Sequence, residues 1–311
     1  MPTAPFDRRA IPAGTSFSSW PAPDGWPYRL FHWPQEEGRA VRGSLLFANG
    51  RGDFVEKYFE ADHHWHQEGW DVTAFDWRGQ GGSRGDIKSG HLDSFDPLIA
   101  DLDALIADWR GRTPGPHVVI GHSMGGHLLA RILTERKPAI EAAVLIAPML
   151  RINSGALPSW AAAATAATMC AFGLGRVPAW HVPKTPAPAG SFRQSILTGS
   201  RERFEDELWW WTQHPEFDLH APTWGWLHAA YVSSALLTPD RLREVRTPIL
   251  LIGTDRDRLV SPSAIREAAA ELPNAELLMF PNAAHEILRE ADPVRLRAFE
   301  RIDAFFDAHA R

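Results

Sequence analysis

The segment Gly121-His122-Ser123-Met124-Gly125 carries the clearest chemistry in the chain. A serine hydroxyl is a poor nucleophile at neutral pH. It needs a base in hydrogen-bond reach and a third group that orients the base. Gly-x-Ser-x-Gly supplies such a serine when it sits on a sharp turn between a strand and a helix. Both flanks fit, since Val118-Val119-Ile120 is an apolar run and Leu128-Leu129-Ala130-Arg131-Ile132-Leu133 reads as a helix. Gly121 and Gly125 have no Cβ, so neighbouring backbone can cross close to a strained turn.

In this arrangement the partners follow along the chain in the order serine, acid, histidine. The base is expected on a loop after the last strand, where His285 follows Leu277-Leu278-Met279-Phe280. His309 lies two residues from the end, and His214 and His220 fall in a different part of the chain. The acid should follow the preceding strand. Gly253-Thr254-Asp255-Arg256-Asp257-Arg258-Leu259-Val260 offers two carboxylates, of which Asp257 is chosen and Asp255 is the alternative. The strand after the nucleophile helix ends Ala147-Pro148-Met149, with no carboxylate to serve instead. Two amides should hold the oxyanion: that of Met124 and one from the loop Asn49-Gly50-Arg51, taken to be Arg51.

These residues require a scaffold of alternating strands and helices. Apolar runs at 43–48, 72–76, 142–146 and 248–253 read as strands covered on both faces, and 276–280 as a further strand. Helical periodicity is seen at 54–67, 98–109, 263–272 and 294–308. Residues 28–33 suggest an early edge strand, and the Pro- and Gly-rich residues 1–27 are expected to lie across the surface. Alternation implies parallel pairing, hence an α/β fold with helices flanking a mostly parallel sheet. It lapses from 150 to 246. The chain is therefore divided into an N-terminal core part (1–149), a helical cap insertion (150–246) and a C-terminal core part (247–311).

With these motifs in order, the sequence resembles the α/β-hydrolase superfamily. Gly-His-Ser-Met-Gly-Gly, Asn-Gly-Arg, Asp-Trp-Arg-Gly-Gln-Gly, Asp-Arg-Leu-Val and Ala-Ala-His-Glu-Ile-Leu are similar to its lysophospholipase and monoacylglycerol lipase branch. The likeness covers about residues 25–150 and 245–311. It implies a triad of Ser123, Asp257 and His285 that works through an acyl-enzyme with no metal or cofactor. The chain has Asn49-Gly50 where the family usually has His-Gly, and Asn282 where it usually has Gly.

Composition narrows the partners. The net charge of −6 gives no reason to expect nucleic acid. The single cysteine, Cys170, forms no intramolecular disulfide, and residues 1–15 lack the apolar run of a signal peptide. A protein that is cytoplasmic or peripherally membrane-associated is the expectation. Residues 156–175 are too weakly apolar for a membrane span and read as a packing helix. Seven of the 14 tryptophans fall between 150 and 247. Trp209, Trp210, Trp224 and Trp226 are candidates for an acyl-chain pocket, with cap core and membrane contact as equal alternatives.

The leading expectation is hydrolysis of a small-molecule carboxylic ester bearing an acyl chain. A proline iminopeptidase-like peptidase is the second reading, with Glu202, Glu205, Asp206 and Glu207 capturing a substrate amino group; otherwise these form a solvated helix face. A non-catalytic binder on the same fold is the third. His63, His64 and His66 lack a carboxylate set beyond Asp62 and read as an amphipathic helix rather than a metal site.

Overall fold

The computed structural model describes residues 6–182 and 185–310. Its centre is an eight-stranded sheet in the order β1-β2-β4-β3-β5-β6-β7-β8. These strands are β1 (Ser16–Pro21), β2 (Pro27–Trp33), β3 (Gly43–Ala48), β4 (Trp70–Phe75), β5 (His117–His122), β6 (Ala142–Ile146), β7 (Ile249–Thr254) and β8 (Ala275–Phe280). Strands β1, β2 and β4 pair antiparallel, and every pair from β4 to β8 is parallel. The parallel strands β3 to β7 are buried residue by residue, which explains their continuous apolar runs.

Strand β1 corrects the expectation for residues 1–27. It pairs in register with β2, so the edge of the sheet is β1 and not residues 28–33. Its burial is irregular and its sequence, Ser-Phe-Ser-Ser-Trp-Pro, lacks alternation because one partner and a few ring contacts hold it. Those contacts are Phe17 on Phe31 and Trp20 on Tyr28.

Helices α1 (Phe59–Gln67) and α10 (Asp292–His309) cover one face of the sheet. Helices α2 (Asp96–Arg112), α3 (Met124–Glu135), α8 (Pro239–Arg243) and α9 (Pro262–Glu271) contribute to the other. The stripe Leu98, Ile99, Leu102, Leu105, Ile106 and Trp109 is buried throughout, as its spacing requires. Between β6 and β7 the described residues form α4 (Ser159–Ala171), α5 (Phe192–Leu197), α6 (Arg201–Gln213), α7 (Trp224–Ala235) and α8, joined by loops. Ser191, Ser200, Thr223 and Thr238 cap α5, α6, α7 and α8 by accepting an N–H of the first turn.

Helix α1 carries one unusual residue. Asp62 is fully buried, and among the described residues neither carboxylate oxygen has a hydrogen-bond partner. Burial pushes its pKa well above the usual carboxylate range. The folded state therefore keeps a proton that the unfolded chain releases. Stability from this group is greatest at acid pH and is lost as pH rises towards the raised folded pKa. Asp62→Asn is expected to stabilise the protein by roughly 1–3 kcal/mol at pH 8 and by less at pH 5. Thermal melts at the two pH values test this, and an equal or smaller gain at pH 8 contradicts it.

Candidate active site

Ser123 stands between the last residue of β5 and the first of α3, with φ 52 and ψ −112. This left-handed backbone turns the chain from strand to helix within one residue and presents the side chain above the carboxyl edge of the sheet. Its carbonyl accepts the amides of His127 (3.0 Å) and Met149 (3.0 Å), and its amide donates to Ile146 O (2.9 Å). The flanking glycines are required by space. A Cβ on Gly125 would lie 2.1 Å from Ala48 O, and one on Gly121 would lie 2.7 Å from Gly126 Cα. The absence of a side chain at Gly125 thus lets the end of β3 reach the turn.

His285 Nε2 lies 2.9 Å from Ser123 Oγ, and His285 Nδ1 lies 2.7 Å from Asp257 Oδ2. The carboxylate only accepts, so Nδ1 donates to it and Nε2 is left to accept the serine hydroxyl. The second Asp257 oxygen accepts the amides of Leu259 (2.8 Å) and Val260 (2.9 Å). Burial alone would raise the Asp257 pKa, but the imidazole beside it and these amides hold it below the ordinary value. Burial would likewise lower the His285 pKa, and the Asp257 charge and hydrogen bond carry it above 6.5 instead. Asp255, the other carboxylate of the loop, is exposed and pairs with Arg266.

The loop after β3 approaches the nucleophile closely. A Cβ on Gly50 would lie 3.1 Å from Ser123 Cβ and 3.0 Å from His122 Nδ1. The amides of Arg51 and Met124 thus belong to the two segments that meet at Ser123, and Met124 opens α3, whose N-terminus favours negative charge. Asn49 stands just after β3, where its side-chain Nδ2 donates to Phe75 O (3.1 Å) and its backbone carbonyl accepts Trp77 Nε1 (2.7 Å).

Behind these loops runs a buried charge network that sequence reading missed. Lys57 Nζ lies 2.7 Å from Asp53, 2.6 Å from Glu286 and 3.4 Å from Glu207. Asp53 Oδ2 in turn accepts the Gly50 amide (2.8 Å) and the Tyr58 hydroxyl (3.0 Å), and lies 3.1 Å from His122 Nδ1. Arg193 and Arg289 complete it through Glu207 and Glu286. One ammonium thereby joins the loop after β3, the residue before Ser123, the residue after His285 and helix α6. Its members come from five separate stretches, so no single local spacing reveals the whole.

The acidic run in α6 divides: Glu202 and Glu205 face solvent as a solvated helix face would, and the other two do not. Asp206 and Glu207 are buried, not a solvated face. Glu207 binds Lys57 and Arg193, Asp206 binds Arg8 and Arg9, Glu202 binds Arg8 and Glu205 binds Arg201. The two buried carboxylates, Asp206 and Glu207, are thus taken up by arginine and lysine side chains of the protein itself, which argues against their capturing a substrate amino group.

The tryptophans separate into two groups. Trp210 is buried against Phe59 and donates its N–H to Arg8 O (3.1 Å), with Trp209 packed on it near Arg9. These two therefore fasten the N-terminal arm to the α1 face. Trp226 lies on the opposite face of the sheet, against Phe95 and the Arg51 guanidinium. Trp224, half-buried, opens α7, and its amide donates to Val177 O (3.1 Å). Among the described residues no group of three or more His, Cys, Asp or Glu is arranged to hold a metal. His64 pairs with Asp303, His66 donates to Pro34 O, and His63 stacks on Phe6.

Comparison with known proteins agrees with this architecture. The sequence model of the family described as serine aminopeptidase, S33, matches residues 39–292. The chain is 26% identical to probable lysophospholipase L2 of Haemophilus influenzae, over 87% of this chain and 86% of that one. It is 28% identical to lysophospholipase L2 of Escherichia coli strain K12, over 85% and 80%. Among solved structures it is similar to a soluble variant of monoglyceride lipase from Saccharomyces cerevisiae in complex with a substrate analog, with a TM-score of 0.76 at 18% identity, covering 98% of this chain and 99% of that one. The chain belongs to the serine aminopeptidase S33 family and has the α/β-hydrolase fold, in the branch similar to lysophospholipases and monoacylglycerol lipases.

Proposed function

We propose that the protein is a serine carboxylic-ester hydrolase acting on lysophospholipids or monoacylglycerols through an acyl-enzyme. The observation that carries this is the unbroken relay from Asp257 through His285 to Ser123 Oγ, with two hydrogen bonds of 2.7 and 2.9 Å. Ser123 attacks the ester carbon while His285 takes its proton. The amides of Met124 and Arg51 hold the oxyanion, and His285 returns the proton to the departing alcohol. Water then repeats the sequence on the acyl-enzyme. Asp257 keeps His285 in the required tautomer and stabilises the imidazolium. No metal or cofactor enters these steps. The lysophospholipase names of two relatives support the lipid ester class.

Residues 150–246 act as a cap. Its α5 accepts the amides of His285 and Glu286 on Ile196 O (3.2 Å) and Leu197 O (2.8 Å), which fastens the cap to the loop that carries the base. The cap also offers a route to the membrane surface. Trp160 (76% exposed), Phe172 (79%) and Phe192 (68%) stand out from it, and Leu157 and Trp180 of the same segment are also exposed. Only Ala166 of α4 is buried, so this helix packs less than its composition suggests. No helix among the described residues is long and apolar enough to cross a membrane. A cytoplasmic protein that meets the bilayer through these exposed apolar side chains fits a lipid substrate.

Hydrolysis of p-nitrophenyl esters from acetate to palmitate tests the substrate class. Activity rising with chain length supports a lipid ester, and activity confined to short chains contradicts it. A pH profile tests the base. Since His285 must be neutral to accept a proton and its pKa is raised, kcat/KM should climb with pH through a midpoint above 6.5. A midpoint below 6.5 contradicts that assignment.

A further inference from the structure

Among the described residues the Arg51 side chain has no acidic partner, although 38 aspartates and glutamates are present in the chain. Its hydrogen bonds go to two neutral carbonyls, Ser89 O (2.9 Å) and His220 O (3.2 Å). Both acceptors sit on residues in left-handed backbone, Ser89 at φ 54 and His220 at φ 62, in separate loops turned towards the same cation. The Arg51 Nε is buried with no acceptor. The guanidinium lies 5.1 Å from the centre of the Trp226 ring, and that indole N–H is also buried without an acceptor. Two buried donors without acceptors are costly, and a half-buried cation without a counter-charge is open to an anion that would complete all three. The same arginine contributes its backbone to the loop beside Ser123.

We propose that the Arg51 guanidinium, assisted by the Trp226 indole, is a specificity-determining subsite for the phosphate of a lysophospholipid, a step that rests on the ester-hydrolase reading above. The geometry suits the ligand. In a 1-acylglycerol 3-phosphate the ester carbon and the phosphorus are about six bonds apart, as are the amide nitrogen and Cζ of one arginine. An oxyanion on the Arg51 amide thus places the phosphate within reach of the same residue's guanidinium. Arg51 exchanges carbonyl acceptors for a charged one, and its fork can engage two phosphate oxygens. A neutral monoacylglycerol leaves the guanidinium on its carbonyls.

The test compares 1-lauroylglycerol with its 3-phosphate, two esters that differ in the phosphate alone. For Arg51→Gln, the ratio of kcat/KM for the phosphorylated ester to that for the neutral one should fall on the order of ten- to a hundredfold, mainly through KM. Arg51→Lys should restore part of the ratio by returning the charge, and Trp226→Phe should lower it less than Arg51→Gln. Equal losses on both esters make Arg51 a latch between loops and overturn the proposal. Competitive inhibition by inorganic phosphate that Arg51→Gln abolishes, with an unchanged ester ratio, assigns the subsite to free phosphate and also overturns it. Wild type that cleaves neither ester defeats the hydrolase reading itself, whereas cleavage of both with an unaltered ratio defeats only the subsite.

Discussion

Ser123→Ala is expected to lower kcat on a p-nitrophenyl ester by roughly ten-thousand- to a millionfold, with the protein still folded. The size of the effect follows from the mechanism. Without the hydroxyl no acyl-enzyme forms, and His285 can only assist direct attack by water. What survives is the oxyanion site and substrate binding, which alone give a modest rate above solution. The fold should tolerate the change because alanine adds nothing to the turn. The backbone already stands at φ 52 with a Cβ present, and the residue's own amide and carbonyl bonds do not involve the side chain. Circular dichroism and the melting temperature should therefore match wild type. Near-normal turnover with a folded variant contradicts the assignment of the nucleophile.

Asp257→Asn is expected to lower kcat by roughly ten-thousandfold, while Asp255→Asn should leave it within a few fold. The two residues are separated by one position yet have opposite surroundings. Asp257 is buried, accepts two loop amides on one oxygen and His285 on the other. An amide there presents an N–H to His285 Nδ1 and favours the tautomer whose Nε2 carries the proton, so the base is blocked. Removing the charge also leaves burial to dominate the imidazole, which should move any residual activity limb to lower pH. Asp255 is exposed and holds only Arg266. The reverse ranking of the two variants would transfer the acid role to Asp255.

Much of this scaffold was legible because the parallel strands are buried on both faces and the elbow needs a fixed local pattern. Gly121 and Gly125 flag a turn that no Cβ fits, and the apolar stripe of α2 follows directly from helical period. What separates Asp257 from Asp255 is the turn that follows, where the amides of Leu259 and Val260 fix one Asp257 oxygen and leave the other for His285. Strand β1 was illegible because an edge held by one partner and two ring contacts needs no alternation. The Lys57 network was hidden for another reason. Its carboxylates lie 4, 150 and 229 residues away along the chain and meet only after folding. Glu207 looks like solvated surface in sequence because nothing local announces Arg193 and Lys57 beside it. Likewise Trp209 and Trp210 are apolar neighbours of uncertain purpose until Arg8 and Phe59 are seen against them.

The central claim is covalent catalysis at Ser123, and rapid-quench mass spectrometry tests it most directly. Mixing the enzyme with excess p-nitrophenyl laurate should give intact protein heavier by one lauroyl group within the first turnover, with the ester mapped by peptide sequencing to Ser123. The same adduct should be absent from Ser123→Ala and should accumulate if water attack is slowed. Turnover without any acylated protein, or acylation at a different residue, contradicts the account.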